Sequence, residues 1–126
     1  MASPPLIAVV TSDRHRNGKT LLARVLVDFL LLETRDPYCL DLDHKDAALR
    51  SYFPGRTALV DFTHVAGQMQ VFDTILAGPG RDYVIDVPAY HLPRFCEAMR
   101  DLEFRKAYEA AGFNFVLIYI IDAGDT

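Results

Sequence analysis

Apolar and polar positions alternate along this chain in blocks that read as strands and helices in turn. Leu6–Val10 is a short, almost wholly apolar run between Pro4-Pro5 and Thr11-Ser12-Asp13. A run of that length, apolar at both parities, predicts a strand buried on both faces, as in a parallel sheet. Polar residues from Ser12 to Asn17 lead into Gly18-Lys19-Thr20, and a helix is expected from about Lys19 to Glu33. After Lys19 its only charges are Arg24, Asp28 and Glu33. So apolar a helix is expected to be covered on more than one side. Asp36-Pro37 ends it, and Tyr38-Cys39-Leu40-Asp41-Leu42-Asp43 reads as a second strand ending in acids.

The pattern then predicts a short helix over Asp46 to Tyr52, stopped by Pro54-Gly55, and a short edge strand over Thr57 to Phe62. Val65 to Leu76 suits a helix closed by Gly78-Pro79-Gly80. Tyr83-Val84-Ile85-Asp86-Val87-Pro88 reads as a strand with an acid at its end. One helix is expected from about Pro93 to Ala111, closed by Gly112. Phe115 to Ile121, the most hydrophobic segment of all, is expected to be a buried last strand. Strands alternating with helices predict a single α/β domain, three layers thick, with a mostly parallel twisted sheet and helices on both faces.

Composition narrows this picture. The 126 residues suit one domain, and 13 Lys plus Arg against 17 Asp plus Glu disfavour a protein built around a basic nucleic-acid surface. Cys39 and Cys96 lie far apart without CxxC spacing, so neither a zinc site nor a disulfide framework follows. Cys39 reads as a small buried hydrophobe and Cys96 as an inert helix residue. No apolar run is long enough for a membrane-spanning helix, and Met1-Ala2-Ser3-Pro4-Pro5 lacks the basic start of a signal peptide. A cytoplasmic protein is the default expectation. The cations are lopsided, ten Arg to three Lys, and one of those lysines is Lys19.

Strand, polar loop, Gly18-Lys19-Thr20 and helix form the layout of a phosphate-binding loop. Such a loop converges backbone N–H groups on phosphate oxygens at a helix N-terminus, where the helix dipole favours an anion. A lysine must reach the β- and γ-phosphates, and a hydroxyl must ligate Mg²⁺. Lys19 and Thr20 stand where those roles require. The loop itself, Asp13-Arg14-His15-Arg16-Asn17-Gly18, has one glycine, and the first glycine of the usual G-x-x-x-x-G-K-[ST] falls at Asp13. A nucleoside triphosphatase of this kind also needs carboxylates at neighbouring strand ends, to hold Mg²⁺ through water and orient attacking water. Asp41 and Asp43 at the second strand and Asp86 at the next are placed for this; such acids can also simply cap helices.

These motifs resemble those of the deviant-Walker P-loop ATPases of the ParA/MinD type, the CobQ/CobB/MinD/ParA group. Their loop typically reads x-K-G-G-x-G-K-[ST], and Arg14-His15-Arg16-Asn17-Gly18-Lys19-Thr20 lies across it. Their second strand ends D-x-D, matched by Asp41-Leu42-Asp43. Their D-Y-V-I-I-D-x-P segment is matched, one residue shorter, by Asp82-Tyr83-Val84-Ile85-Asp86-Val87-Pro88. The resemblance implies a P-loop NTPase fold that binds ATP and Mg²⁺ over Asp13–Thr20, with slow hydrolysis. It implies that Lys19 binds the β/γ-phosphates and that Thr20, Asp86 and, in support, Asp41 serve the metal. Asp43 would position or activate water. Arg14 aligns with the signature lysine that reaches a partner's nucleotide across an ATP-bound homodimer, and His15 and Arg16 replace two glycines. A role in DNA partition, positioning or mobilisation follows by the same resemblance, with DNA or a partner protein as cargo. Relatives of this type continue well past the fifth strand, so the chain is expected to be the N-terminal part of a longer domain.

Two other readings stay open from the residues: a non-hydrolysing, nucleotide-dependent scaffold, suggested by the missing glycines, and a P-loop kinase acting on a small metabolite. Ala66-Gly67-Gln68 has a switch-like Gly-Gln pair but sits in a helical pattern and is read as accidental. His91 is expected to be a solvated loop residue, and Arg94, Arg100 and Arg105 to be surface charges.

Overall fold

The structure, a computed structural model, describes residues 3–13, 18–43 and 45–121. Five strands form one sheet: β1 (Leu6–Ser12), β2 (Pro37–Asp41), β3 (Thr57–Leu59), β4 (Asp82–Asp86) and β5 (Asn114–Ile120). Their order is β3-β2-β4-β1-β5, and every pair is parallel. The helices are α1 (Lys19–Leu32), α2 (Ala48–Tyr52), α3 (Val65–Ala77), α4 (Leu92–Asp101) and α5 (Phe104–Ala110).

Successive strand side chains point to opposite faces, and the two cores follow that alternation. Val10, Cys39 and Val84 pack with Ala23, Val27 and Leu30 of α1 and Leu49 of α2. Their neighbours Val9, Leu40 and Ile85 pack on the other face with Phe72 of α3, Phe95 of α4 and Phe104 of α5. The three-layer α/β expectation holds, with a sheet that is parallel throughout.

Four local expectations need correcting. The acid-ended second strand stops at Asp41, so Leu42 and Asp43 lie beyond it. The last long helix is two helices, separated at Leu102 and Glu103, where Glu103 takes φ 49°. In an unbroken helix Phe104 would project from the face opposite Phe95. The break resets the phase, so that Phe104 is buried with its ring centroid 4.7 Å from that of Phe72. The most hydrophobic segment, β5, is an edge strand and largely exposed. The apolar helix α1 is buried along one side only, leaving Leu21, Val25, Phe29 and Leu32 exposed.

The opposite edge, β3, is expected from sequence and present, though only Thr57–Leu59 pair. A second fixed point lies at the strands' N-terminal ends. There buried Asp82 accepts from the Leu6 N–H at 2.9 Å and from Arg35 Nε at 2.8 Å.

Candidate functional site

The carboxyl ends of β1, β2 and β4 meet at one edge of the sheet. Register sets Asp86 beside Val10 of β1 and beside Asp41 of β2. Asp41 shares its face with Cys39, and Asp86 with Val84, so both lie on the side covered by α1. Both adjoin the N-terminal end of that helix.

Helix α1 begins immediately after Gly18, whose φ of 93° is left-handed and favours glycine. The Gly18 carbonyl accepts the first helical bond, from Leu22 N–H at 2.9 Å. Lys19 is only 5 % exposed. Its Nζ donates to Asp86 Oδ1 and lies 3.9 Å from Asp43 Oδ2. A buried ammonium is costly unless it is paired, and these two carboxylates supply the pairing.

The carboxylates differ in what else they do. Asp86 is 1 % exposed and makes its described side-chain bond to Lys19. Burial pushes its carboxyl up from 3.8 to about 6, while Lys19 pulls it back and Asp41 and Asp43 push it further up. Asp41, fully buried, accepts from Asp43 N–H at 3.0 Å and Arg50 N–H at 3.2 Å. Burial raises its carboxyl too, against those two bonds. Asp41 therefore fixes the turn between β2 and α2, and with it the place of Asp43. Asp43 Oδ1 accepts from Asp46 N–H at 3.3 Å.

A cleft of 280 Å³ opens beside these groups, lined by Gly18, Lys19, Thr20, Asp43, Asp46 and Tyr52 among others. A cavity of 800 Å³, larger than this cleft, lies instead at the opposite strand ends around Arg35 and Asp82. There the charged pair is already bonded to itself and to backbone, so size does not locate the chemistry.

Of the residues expected at the site, Gly18, Lys19, Thr20, Asp41, Asp43 and Asp86 are brought to this edge. Asp13 is exposed just past β1 and donates its N–H to the Ile120 carbonyl at 3.2 Å. Arg14, His15, Arg16 and Asn17 lie outside the described residues. Tyr90 is an addition the sequence reading missed. Burial and the charge of nearby Asp43 raise its hydroxyl, and Lys45 Nζ stands 5.2 Å from its ring centroid. The available signal was an aromatic residue just after the Asp86-Val87-Pro88 strand end.

One lysine among three carboxylates leaves local negative charge, which fits a divalent cation as well as the lysine. Among the described residues no group of three or more His, Cys, Asp or Glu is arranged to hold a metal by itself.

The discounted signals resolve by contact. Gln68 donates its amide to the Phe62 carbonyl at 3.1 Å, and Gly67 is packed against the Asp61 carbonyl, both on α3 across the sheet from α1. Arg94 and Arg105 form exposed helix-surface pairs with Glu97 and Glu109. Cys39 is buried and Cys96 exposed. His91 departs from expectation: it is 6 % exposed, with its ring against those of Phe62 and Tyr90. Among the described residues no helix is long and apolar enough to cross a membrane. Comparison of the chain with protein-family models, with curated proteins and with solved structures finds no match.

Proposed function

We propose that this chain binds a nucleoside triphosphate with Mg²⁺, ATP by the ParA/MinD resemblance, and hydrolyses it slowly. The observation that carries the proposal is the buried Lys19 at the start of α1. It is held by Asp86 and Asp43 from neighbouring strand ends, beside a cleft that includes Thr20. A structural lysine would not need burial at a left-handed glycine and a helix N-terminus, where an anion is the favoured neighbour.

In this reading Lys19 exchanges its carboxylate partners for phosphate oxygens, and Arg14 or Arg16 adds positive charge from the loop. Thr20 would offer its hydroxyl to Mg²⁺ and Asp86 would hold the ion through water, with Asp41 keeping Asp43 in place. The ion would supply charge neutralisation at the phosphates. Asp43, released from Lys19, would orient the attacking water. A cytoplasmic setting, a nucleotide-dependent homodimer and a role in DNA partition, positioning or mobilisation go with this reading.

The engagement of Asp43 by Lys19 at 3.9 Å and by the Asp46 N–H at 3.3 Å also favours a second reading, a nucleotide-dependent scaffold that does not hydrolyse. Calorimetry with Mg-ATP tests the common ground: saturable heat is expected for the wild type and none for Lys19→Ala. Absence of binding by the wild type overturns both readings. Phosphate release lost in Asp43→Ala, with binding retained, selects the hydrolase; binding with no release selects the scaffold.

A further inference from the structure

The two edges of the sheet are built differently. β3 pairs only over Thr57–Leu59, too short a segment to recruit another strand. β5 runs the full length of Asn114–Ile120, as Asn-Phe-Val-Leu-Ile-Tyr-Ile. It carries no charge and no proline, the features with which proteins usually blunt a free edge. Among the described residues it has no strand on its outer side. Val116, Leu117 and Tyr119 are 42 %, 48 % and 45 % exposed.

The backbone direction of β5 can be read from its ends. Asn114 N–H donates to the Pro5 carbonyl, and the Ile120 carbonyl accepts from Asp13 N–H, so the even-numbered residues turn their backbone groups toward β1. Alternation turns those of Phe115, Leu117 and Tyr119 outward.

We propose that β5 pairs antiparallel with β5 of a second copy of this chain about a two-fold axis at Leu117, joining two sheets into one. This goes beyond the nucleotide reading and does not depend on it. At that register Leu117 faces Leu117 as a hydrogen-bonded pair, and Phe115 faces Tyr119 in the same way. On the other face Val116 meets Ile118. Every cross-strand pair from Phe115 to Tyr119 is apolar, and all are self-complementary, as an isologous interface requires.

The same axis covers the exposed features on both sheet faces. On one side, the 350 Å³ apolar groove lined by Phe95, Met99, Phe115 and Leu117 is continued by its symmetry mate. On the other, Leu22 and Leu26 of α1 already pack with Ile118 and Ile120. Val25 and Phe29, one step further round the helix and exposed, turn toward the partner's α1. Val25, Phe29, Val116, Leu117 and Tyr119, each between 42 % and 55 % exposed, supply apolar area toward the roughly 800 Å² that each partner gives to a stable interface. A second copy supplies the matching strand and the matching helix stripe at once.

Sedimentation velocity of the 126-residue chain without nucleotide tests this. The expected species already has twice the 14.2 kDa chain mass in the absence of Mg-ATP. Leu117→Lys puts two like charges on the axis and is expected to weaken the dimer about 100-fold or more, with an unchanged circular dichroism spectrum. Should that variant fail to fold, cysteine crosslinking decides. In a Cys96→Ser background, Leu117→Cys is expected to form an intermolecular disulfide, because paired Cα atoms stand about 5.5 Å apart. Tyr119→Cys is not, since its mate lies roughly 14 Å away. A 14.2 kDa species at every concentration, a dimer formed only with Mg-ATP, or equal crosslinking at both positions overturns the proposal.

Discussion

Asp86→Asn is expected to make the ligand-free protein more stable while removing Mg-nucleotide binding. Asp86 is 1 % exposed, and burial, with Asp41 and Asp43 adding to it, lifts its carboxyl from 3.8 to about 6 despite the Lys19 ammonium. A shift of that size is about 3 kcal/mol of disfavour for the ionised form. The sign follows from proton binding. The folded state holds the proton more tightly than the unfolded one, so this contribution to stability is full below about pH 4 and lost as pH rises through 6. Asparagine keeps an oxygen for Lys19 and cannot ionise. The variant should therefore gain up to about 3 kcal/mol at pH 7, falling toward nothing below pH 4. The opposing expectation is that breaking a buried ion pair costs ~3–5 kcal/mol by stranding the remaining charge. The count of charges decides between them: Lys19 keeps Asp43 at 3.9 Å when Asp86 is neutralised. Urea unfolding of both proteins across this pH range measures the difference directly. A variant less stable than wild type at neutral pH would refute the reasoning, because Asp86 would then be a net stabilising partner.

The converse change, Lys19→Met, strands three carboxylates without their cation and should cost about 3 kcal/mol or more at neutral pH. The loss should shrink in acid, read from the same urea curves. Gly67→Ala drives a β-carbon into the Asp61 carbonyl, a backbone collision expected to lower stability by roughly 1–3 kcal/mol. An unchanged melting temperature would show that α3 can shift. Thiol labelling of the native protein should modify Cys96 quickly and Cys39 only on unfolding, since burial excludes reagent and pushes the Cys39 thiol up to about 11. Mass spectrometry of labelled peptides separates the two. Arg35→Ala removes the guanidinium that bonds buried Asp82. It should cost several kcal/mol, with nucleotide affinity retained because the pair lies at the other end of the strands.

Much of the site was legible because its signals are local. Gly18-Lys19-Thr20 after an apolar strand fixes the start of α1, and an acid ending an apolar run fixes Asp86. Asp41 and Asp43 were legible as a pair but not in their division of labour. Nothing in Asp-Leu-Asp says that the first carboxylate holds backbone N–H groups and the second stands near the lysine. The break at Leu102–Glu103 was hidden because both residues tolerate a helix; only the need to bury Phe104 opposite Phe72 requires it. His91 was misread because a polar residue after a proline is ordinarily solvated, whereas here Phe62 and Tyr90 enclose it.

The error over β5 is the most instructive. Hydrophobicity at both parities reports that a strand is meant to be covered on both faces, and it does not say by what. In β1 and β4 the cover is the chain's own helices, and the two strands are buried. β5 has the same apolar composition, yet its burial is partial at every described position that is not exposed outright. The excess apolar stripe on α1 lies beside it and has the same character. Two independent segments that are both more apolar than their exposure warrants, adjacent across one edge, call for a common cover. Apart from Leu21, which lines the cleft, the nucleotide site built at the ends of β1, β2 and β4 uses none of that surface. Phosphate chemistry and assembly are thus carried by different parts of the sheet, which is why Leu117→Lys should break the dimer and leave the Lys19–Asp86 pair intact.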